Sequence, residues 1–126
     1  MIPDPIAYAE DWVAAWNAHD IERVLAHFHD DAVFLSPFAK RIRPDSDGKL
    51  NGKAEIRDYW TAGIKAIPDL HFIVEQVFAG VDTIVILYAN QTGVRVSEVL
   101  KFRDGLVIEA SGNYPPDLVN PTGARS

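Results

Sequence analysis

Cysteine is absent from the 126 residues, which excludes disulfides, thiolate metal sites and thiol catalysis. No apolar run approaches the length that spans a bilayer. A basic excess is missing too: the formal charge is -6, which argues against a nucleic-acid partner and against anchoring to an anionic membrane. The opening Met1-Ile2-Pro3-Asp4-Pro5 has no basic segment followed by an apolar stretch, so no signal peptide is expected and the cytoplasm is the expected location. Neither Gly48-Lys49 nor Gly52-Lys53 has the glycine spacing and following hydroxyl of a phosphate loop. His27 and His29 are two apart on an expected helix and would point in nearly opposite directions, while His19 and His71 have no ligand partner nearby. No metal and no cofactor are expected. Repeats, low-complexity tracts and interdomain linkers are also lacking.

What is there fits one soluble globular domain. With 48% hydrophobic and 24% charged residues, a chain of 126 can bury one moderate core and is too short for two comfortable ones. A single domain is expected over residues 1–126, with a core from about 4 to 114 and an irregular, proline-containing tail from 115 to 126.

Asp4-Pro5 reads as an N-cap followed by proline at the first helical position. The helix runs to about Asn17, with Ile6, Ala9, Val13 and Trp16 on one stripe. Asp20 starts a second helix whose Ile21, Val24, Leu25 and Phe28 form the buried face and which Asp30-Asp31 closes. Ala32 to Ser36 reads as a strand stopped by Pro37. Residues 38–52 read as an irregular loop, basic at Lys40, Arg41 and Arg43 and acidic after them; it is either a solvated loop or a lid over a pocket. Lys53 to Ile64 is a third helix, with Ile56, Tyr59, Trp60 and Ile64 apolar. Four strand-like segments follow, Leu70 to Ala79, Thr83 to Asn90, Val94 to Arg103 and Leu106 to Tyr114, joined by tight turns into an antiparallel meander.

The third of these strands carries an anomaly. Val94, Val96, Leu100 and Phe102 share one face of a period-two pattern, and Glu98 sits in the middle of that apolar row. A carboxylate facing a core is costly to ionise unless it is paired, hydrogen-bonded or open to a cavity. Glu98 therefore either meets a buried partner or the rim of the sheet, or is the central polar group of a pocket. Gln91-Thr92-Gly93 reads as a three-residue loop with a left-handed Gly93, setting Tyr88 against Val96 and Ile86 against Glu98. At Asp104-Gly105 two registers compete. A two-residue loop pairs Arg103 with Leu106 and turns Glu109, Ser111 and Asn113 onto the apolar face; a three-residue loop pairs Phe102 with Leu106 and Glu98 with Ala110. The burial pattern favours the second. Ala110 and Gly112 then leave a hollow beside Glu98, which suits a cavity better than a packed interior.

Helices followed by strands imply an α+β fold, with the helices on one face of a curved antiparallel sheet and a pocket at the open mouth of a cone. The opposite, convex face carries Arg95, Ser97, Lys101, Glu109, Ser111 and Asn113, a self-complementary charge pattern suited to a homodimer.

Four strings resemble landmarks of the NTF2-like superfamily: Trp12-Val13-Ala14-Ala15-Trp16-Asn17-Ala18-His19-Asp20, Phe28-His29-Asp30-Asp31-Ala32-Val33, Gly52-Lys53-Ala54-Glu55-Ile56-Arg57-Asp58-Tyr59-Trp60 and Phe102-Arg103-Asp104-Gly105. From Tyr8 to Tyr114 the chain looks most like the SnoaL-like group, with the bacterial ketosteroid isomerases more distantly similar. The resemblance implies a cone-shaped, cystatin-like fold with three N-terminal helices around a pocket, and a dimer. It also implies where catalytic groups would stand. The isomerases' oxyanion-donating tyrosine falls on Trp12, their general-base aspartate on Ser36 before Pro37, their supporting tyrosine on Trp60 and their protonated aspartate on Glu98. An indole N–H lacks a phenol's acidity, and a serine with no adjacent base cannot shuttle a proton, so isomerisation by that mechanism is not expected. The epoxide-hydrolase pattern fails as well, since its arginine falls on Val96.

The expected protein needs no cofactor and binds a small, largely apolar molecule in a pocket centred on Glu98 and lined by Trp12, Ser36, Tyr59, Trp60, Tyr88, Ala110, Gly112 and Tyr114. Glu98 either anchors a ligand or serves an isomerase, cyclase or lyase as general acid or base, with Tyr88 or Tyr114 and the tryptophan N–H groups as donors. The expected partners are that small molecule and a second copy of the chain, with no nucleic acid and no membrane.

Overall fold

The computed structural model describes residues 2–119. Helix α1 (Pro5–Asn17) starts where the sequence places it: the Asp4 carboxylate accepts from the Ala7 N–H at 2.9 Å, and Pro5 occupies the first turn. The four-residue spacing of Tyr8, Trp12 and Trp16 stacks three large rings along its buried side. Helix α2 (Ile21–Leu25) is capped by Asp20, which accepts from the Arg23 N–H at 3.1 Å. It is shorter than the periodicity predicts. Phe28, His29, Asp30 and Asp31 belong to strand β1 (Phe28–Leu35), so the two aspartates do not close a helix. Phe28 is buried from the strand instead of from the helix, which is why both readings fit its hydrophobicity.

Residues 38–52 are not an irregular loop. They form helix α3 (Ala39–Ile42), a 3-10 turn (Pro44–Ser46) and strand β2 (Lys49–Asn51), which pairs with β1. Helix α4 (Gly52–Ala66) buries Ile56 and Trp60, and its Glu55 carboxylate accepts from the Asn51 N–H at 3.1 Å. Strands β3 (Ile73–Ala79), β4 (Thr83–Ala89), β5 (Arg95–Arg103) and β6 (Leu106–Asn113) form the expected meander. The tail is not wholly irregular: Pro116–Val119 make one helical turn, α5, and residues 120–126 lie outside the described residues.

The α+β class holds, but the antiparallel cone is corrected. The sheet is open, in the order β2-β1-β6-β5-β4-β3, with β2 and β3 as its edges. It is also mixed, because β1 runs parallel to β6, with Phe34 beside Ala110. Parallel neighbours need a long connection. Everything between β1 and β6 supplies it, and no local pattern in either strand signals the pairing.

Between β4 and β5 the expected register is found: Ile86 faces Glu98, Tyr88 faces Val96, and Gly93 is left-handed at φ 81°. Between β5 and β6 it is not. Asp104 (φ 54°) and Gly105 (φ 80°) make a two-residue loop that pairs Arg103 with Leu106. A bulge then shifts the ladder between Phe102↔Val107 and Lys101↔Glu109, leaving Ile108 as the extra residue. The bulge restores the phase, so Ala110 and Gly112 still face inward while Glu109 and Asn113 stay exposed. Glu98 consequently faces Gly112, and Ala110 faces Leu100. Among the described residues no helix is long and apolar enough to cross a membrane.

Candidate functional site

Alternation along β5 buries Val96, Glu98, Leu100 and Phe102 on the face beneath the helices. A cavity of about 460 Å³ opens there, walled by α1, α4 and the inner faces of β1, β4 and β5. Its aromatic surface is built in two groups. Trp12 stacks on Phe72 (5.8 Å between ring centroids) and tilts against Tyr88 (5.1 Å), while Phe72 meets Tyr88 at 4.4 Å. Trp60 sits edge-on to Trp16 (4.8 Å) and Phe34 (5.5 Å). The first group depends on an amide latch: Asn17 donates to the Phe72 carbonyl at 2.9 Å and accepts from the Phe72 N–H at 2.7 Å. That latch fixes the entry to β3 against the end of α1.

Glu98 is 5% exposed and forms no hydrogen bond or ion pair with another described residue. Burial alone pushes its carboxyl up to about 8, so near neutral pH the group holds a proton. Three of the phenols that feel its charge line the same cavity. Tyr59, Tyr88 and Tyr114 are all pushed above the usual tyrosine range, first by burial and further by the Glu98 charge. The buried Ser36 hydroxyl interacts with both Tyr59 and Tyr114, and Tyr114 with Tyr88. A Cβ placed on Gly112 would stand 3.7 Å from Glu98 Oε1 and 3.7 Å from the Tyr114 hydroxyl. A side chain at this position would therefore touch both groups, and its absence leaves each of them room. Chemically, the cavity offers one carboxyl proton and several neutral donors within an apolar wall.

Of the residues singled out in the sequence, Trp12, Tyr59, Trp60, Tyr88, Glu98 and Tyr114 line this cavity. Ser36 and Gly112 instead line a second cavity of about 260 Å³ beside Asp47 and Gly48. Ala110 is fully buried and does not flank Glu98. Sequence reading missed Phe34, Phe38, Arg41 and Phe72, which all line the large cavity. Phe34 was accessible from its alternation with Ala32; Arg41 was hinted at only by the lid reading of its segment. The Arg41 guanidinium lies 4.5 Å from the Phe38 ring centroid and donates to the Leu118 carbonyl at 3.0 Å, joining α3 to α5 at the rim.

The histidines stand apart from this site and not on a shared helix. His27 lies in the turn after α2, 3.0 Å from Asp11 Oδ2, and His29 lies in β1, donating to the Arg103 carbonyl at 2.7 Å. Among the described residues no group of three His, Asp or Glu is placed to hold a metal ion.

The comparisons agree with this architecture. A family profile described as the SnoaL-like domain matches residues 9–110. The chain is similar to the crystal structure of a SnoaL-like protein of unknown function from Burkholderia thailandensis E264, with 36% identity over 89% of this chain and 99% of that one, and a TM-score of 0.80. It is similar to AclR, a putative hydroxylase from Streptomyces galilaeus, with 25% identity over 96% of each chain and a TM-score of 0.68. TerC, co-crystallised with polyporic acid, shares the fold at 15% identity over 92% of this chain and 95% of that one, with a TM-score of 0.74. No curated protein matches the chain. With most of its length matched by the family profile and by a relative of one-third identity, the chain belongs to the SnoaL-like family.

Proposed function

We propose that this domain binds a small, largely apolar organic molecule in the 460 Å³ cavity, with Glu98 and the tyrosines around it holding a carbonyl or hydroxyl oxygen of that molecule. One observation carries the reading: a buried carboxyl with no hydrogen-bond or ion-pair partner among the described residues faces an aromatic cavity. A buried polar group left unpaired costs free energy, and a ligand oxygen accepting its proton removes that cost. A thermal-shift screen of small cyclic ketones, acids and lactones tests it. Compounds that stabilise the protein should lose their effect with Glu98→Gln or Tyr114→Phe. A panel without a single stabilising compound, or hits indifferent to both substitutions, counts against the reading.

A second reading is catalytic, and the titration of Glu98 near pH 8 favours it. A general acid or base works best with a pKa close to the working pH. In this reading Glu98 moves a proton on a carbon next to the bound carbonyl, as in an isomerase, cyclase or lyase. A bound ketone incubated in deuterium oxide would then acquire deuterium at that carbon with the wild-type protein and not with Glu98→Gln.

The outer face of the sheet is proposed to carry a homodimer contact. Lys101 lies across from Glu109 there, and Arg95 pairs with Glu75 at 2.9 Å, so alternating charges are presented in rows. A light-scattering mass of one chain at micromolar concentration would exclude it.

A further inference from the structure

Among the described residues that line the large cavity, only two are acidic or basic side chains: Glu98 on the buried wall and Arg41 at the exposed rim. Their roles differ. Glu98 is enclosed, whereas Arg41 is open to solvent and spends one N–H on the Leu118 carbonyl. Arg41 forms no ion pair with a described residue, while its neighbour Lys40 pairs with Asp47 at 3.5 Å. Its plane is held by Phe38, which meets Tyr114 edge-on at 4.5 Å, and Tyr114 in turn stands beside Glu98. The cavity therefore runs from a guanidinium, along two aromatic rings, to a buried carboxyl.

Building on the binding reading above, we infer that the ligand is an amphipathic organic anion, oriented with its carboxylate at Arg41 and an uncharged oxygen toward Glu98. A second negative charge cannot be placed at the inner end, where burial already disfavours the one carboxylate present. At the rim the opposite holds. The guanidinium is fixed by its aromatic stack and its carbonyl bond, keeps free N–H donors in a fork suited to a carboxylate, and supplies a local positive charge on a chain whose formal charge is -6. Arg41 is thus a specificity-determining residue that selects acids over their neutral esters and fixes which end enters first.

The probes are 6-hydroxy-2-naphthoate, with a hydroxyl at one end and a carboxylate at the other, and its methyl ester, which has the same rings without the charge. Binding is measured by fluorescence titration at pH 7 in low and high salt. The acid is expected to bind the wild-type protein roughly tenfold or more tightly than the ester, the scale of one charge-assisted contact. Arg41→Gln should abolish that preference, and Arg41→Lys should retain part of it. Salt should weaken the acid and not the ester. Equal binding of acid and ester to the wild type, or a preference that survives Arg41→Gln, overturns the inference while leaving the cavity reading intact. Failure of both probes to bind at millimolar concentration overturns the cavity reading and this inference together.

Discussion

Glu98 and Gly112 lie directly opposite each other on β5 and β6, a carboxyl facing the residue without a side chain. The pairing explains how an acidic side chain fits the inner face of a sheet without a cationic partner among the described residues: the facing strand leaves it room.

The carboxyl itself should oppose folding as pH rises. Its folded pKa of about 8 lies above the ordinary value of 4.5, so between these two pH values the unfolded chain releases a proton that the folded chain keeps. Stability falls across that window and levels off above it. Glu98→Gln should flatten this dependence and make the protein more stable than wild type at pH 8.5, by on the order of 2–4 kcal/mol. Urea denaturation at pH 5 and pH 8.5 measures the difference. A variant less stable by several kcal/mol at both pH values would mean that Glu98 is a structural partner.

Gly112→Ala should fold well. The new Cβ would meet Tyr114 at 3.5 Å and Glu98 at 3.7 Å, ordinary packing distances. Reduced freedom of the unfolded chain should raise stability by about 0.4–1 kcal/mol. Because the methyl would contact both the carboxyl and the phenol, any compound found by the thermal-shift screen that uses them should bind more weakly. Lower stability with unchanged binding would contradict both statements.

Tyr8 is buried beneath His27 and Phe102, and its hydroxyl has no hydrogen-bond partner among the described residues. Removing an unsatisfied buried hydroxyl costs little, so Tyr8→Phe should be neutral or stabilising by about 1 kcal/mol. Thermal unfolding of the variant decides, and a clear loss would reveal a partner for the hydroxyl.

At the β5–β6 turn the backbone sets the cost. Gly105 has φ 80°, and a Cβ there would meet nothing within 4 Å. Gly105→Ala should therefore destabilise by about 1 kcal/mol through conformation alone. An unchanged urea midpoint would argue against the left-handed turn.

How much of this was legible in the sequence depended on the range of each interaction. Asp4, Asp20 and Gly93 act within a few residues, and the helix starts and the β4–β5 loop follow from them. Glu98 stood out because a period-two pattern needs only its own strand. The β5–β6 register was misread because the two-residue loop and the Ile108 bulge offset each other, giving the burial of a three-residue loop from different pairings. The parallel β1–β6 ladder has no local signature at all. Arg41 was visible as a charge, but its place at the rim depends on Phe38 and Leu118, which only the folded chain brings together.

The position of β6 bears on how the protein is made. It is the last strand among the described residues, yet it lies inside the sheet between β1 and β5. A nascent chain that has not yet released residues 106–113 from the ribosome holds two separate pieces, β1 with β2 and the β3–β5 meander, each with a raw edge facing the missing strand. Synthesis delivers the strand that joins them last, so cooperative folding waits for it. During that interval the unpaired edges of β1 and β5 are open templates for pairing with another chain.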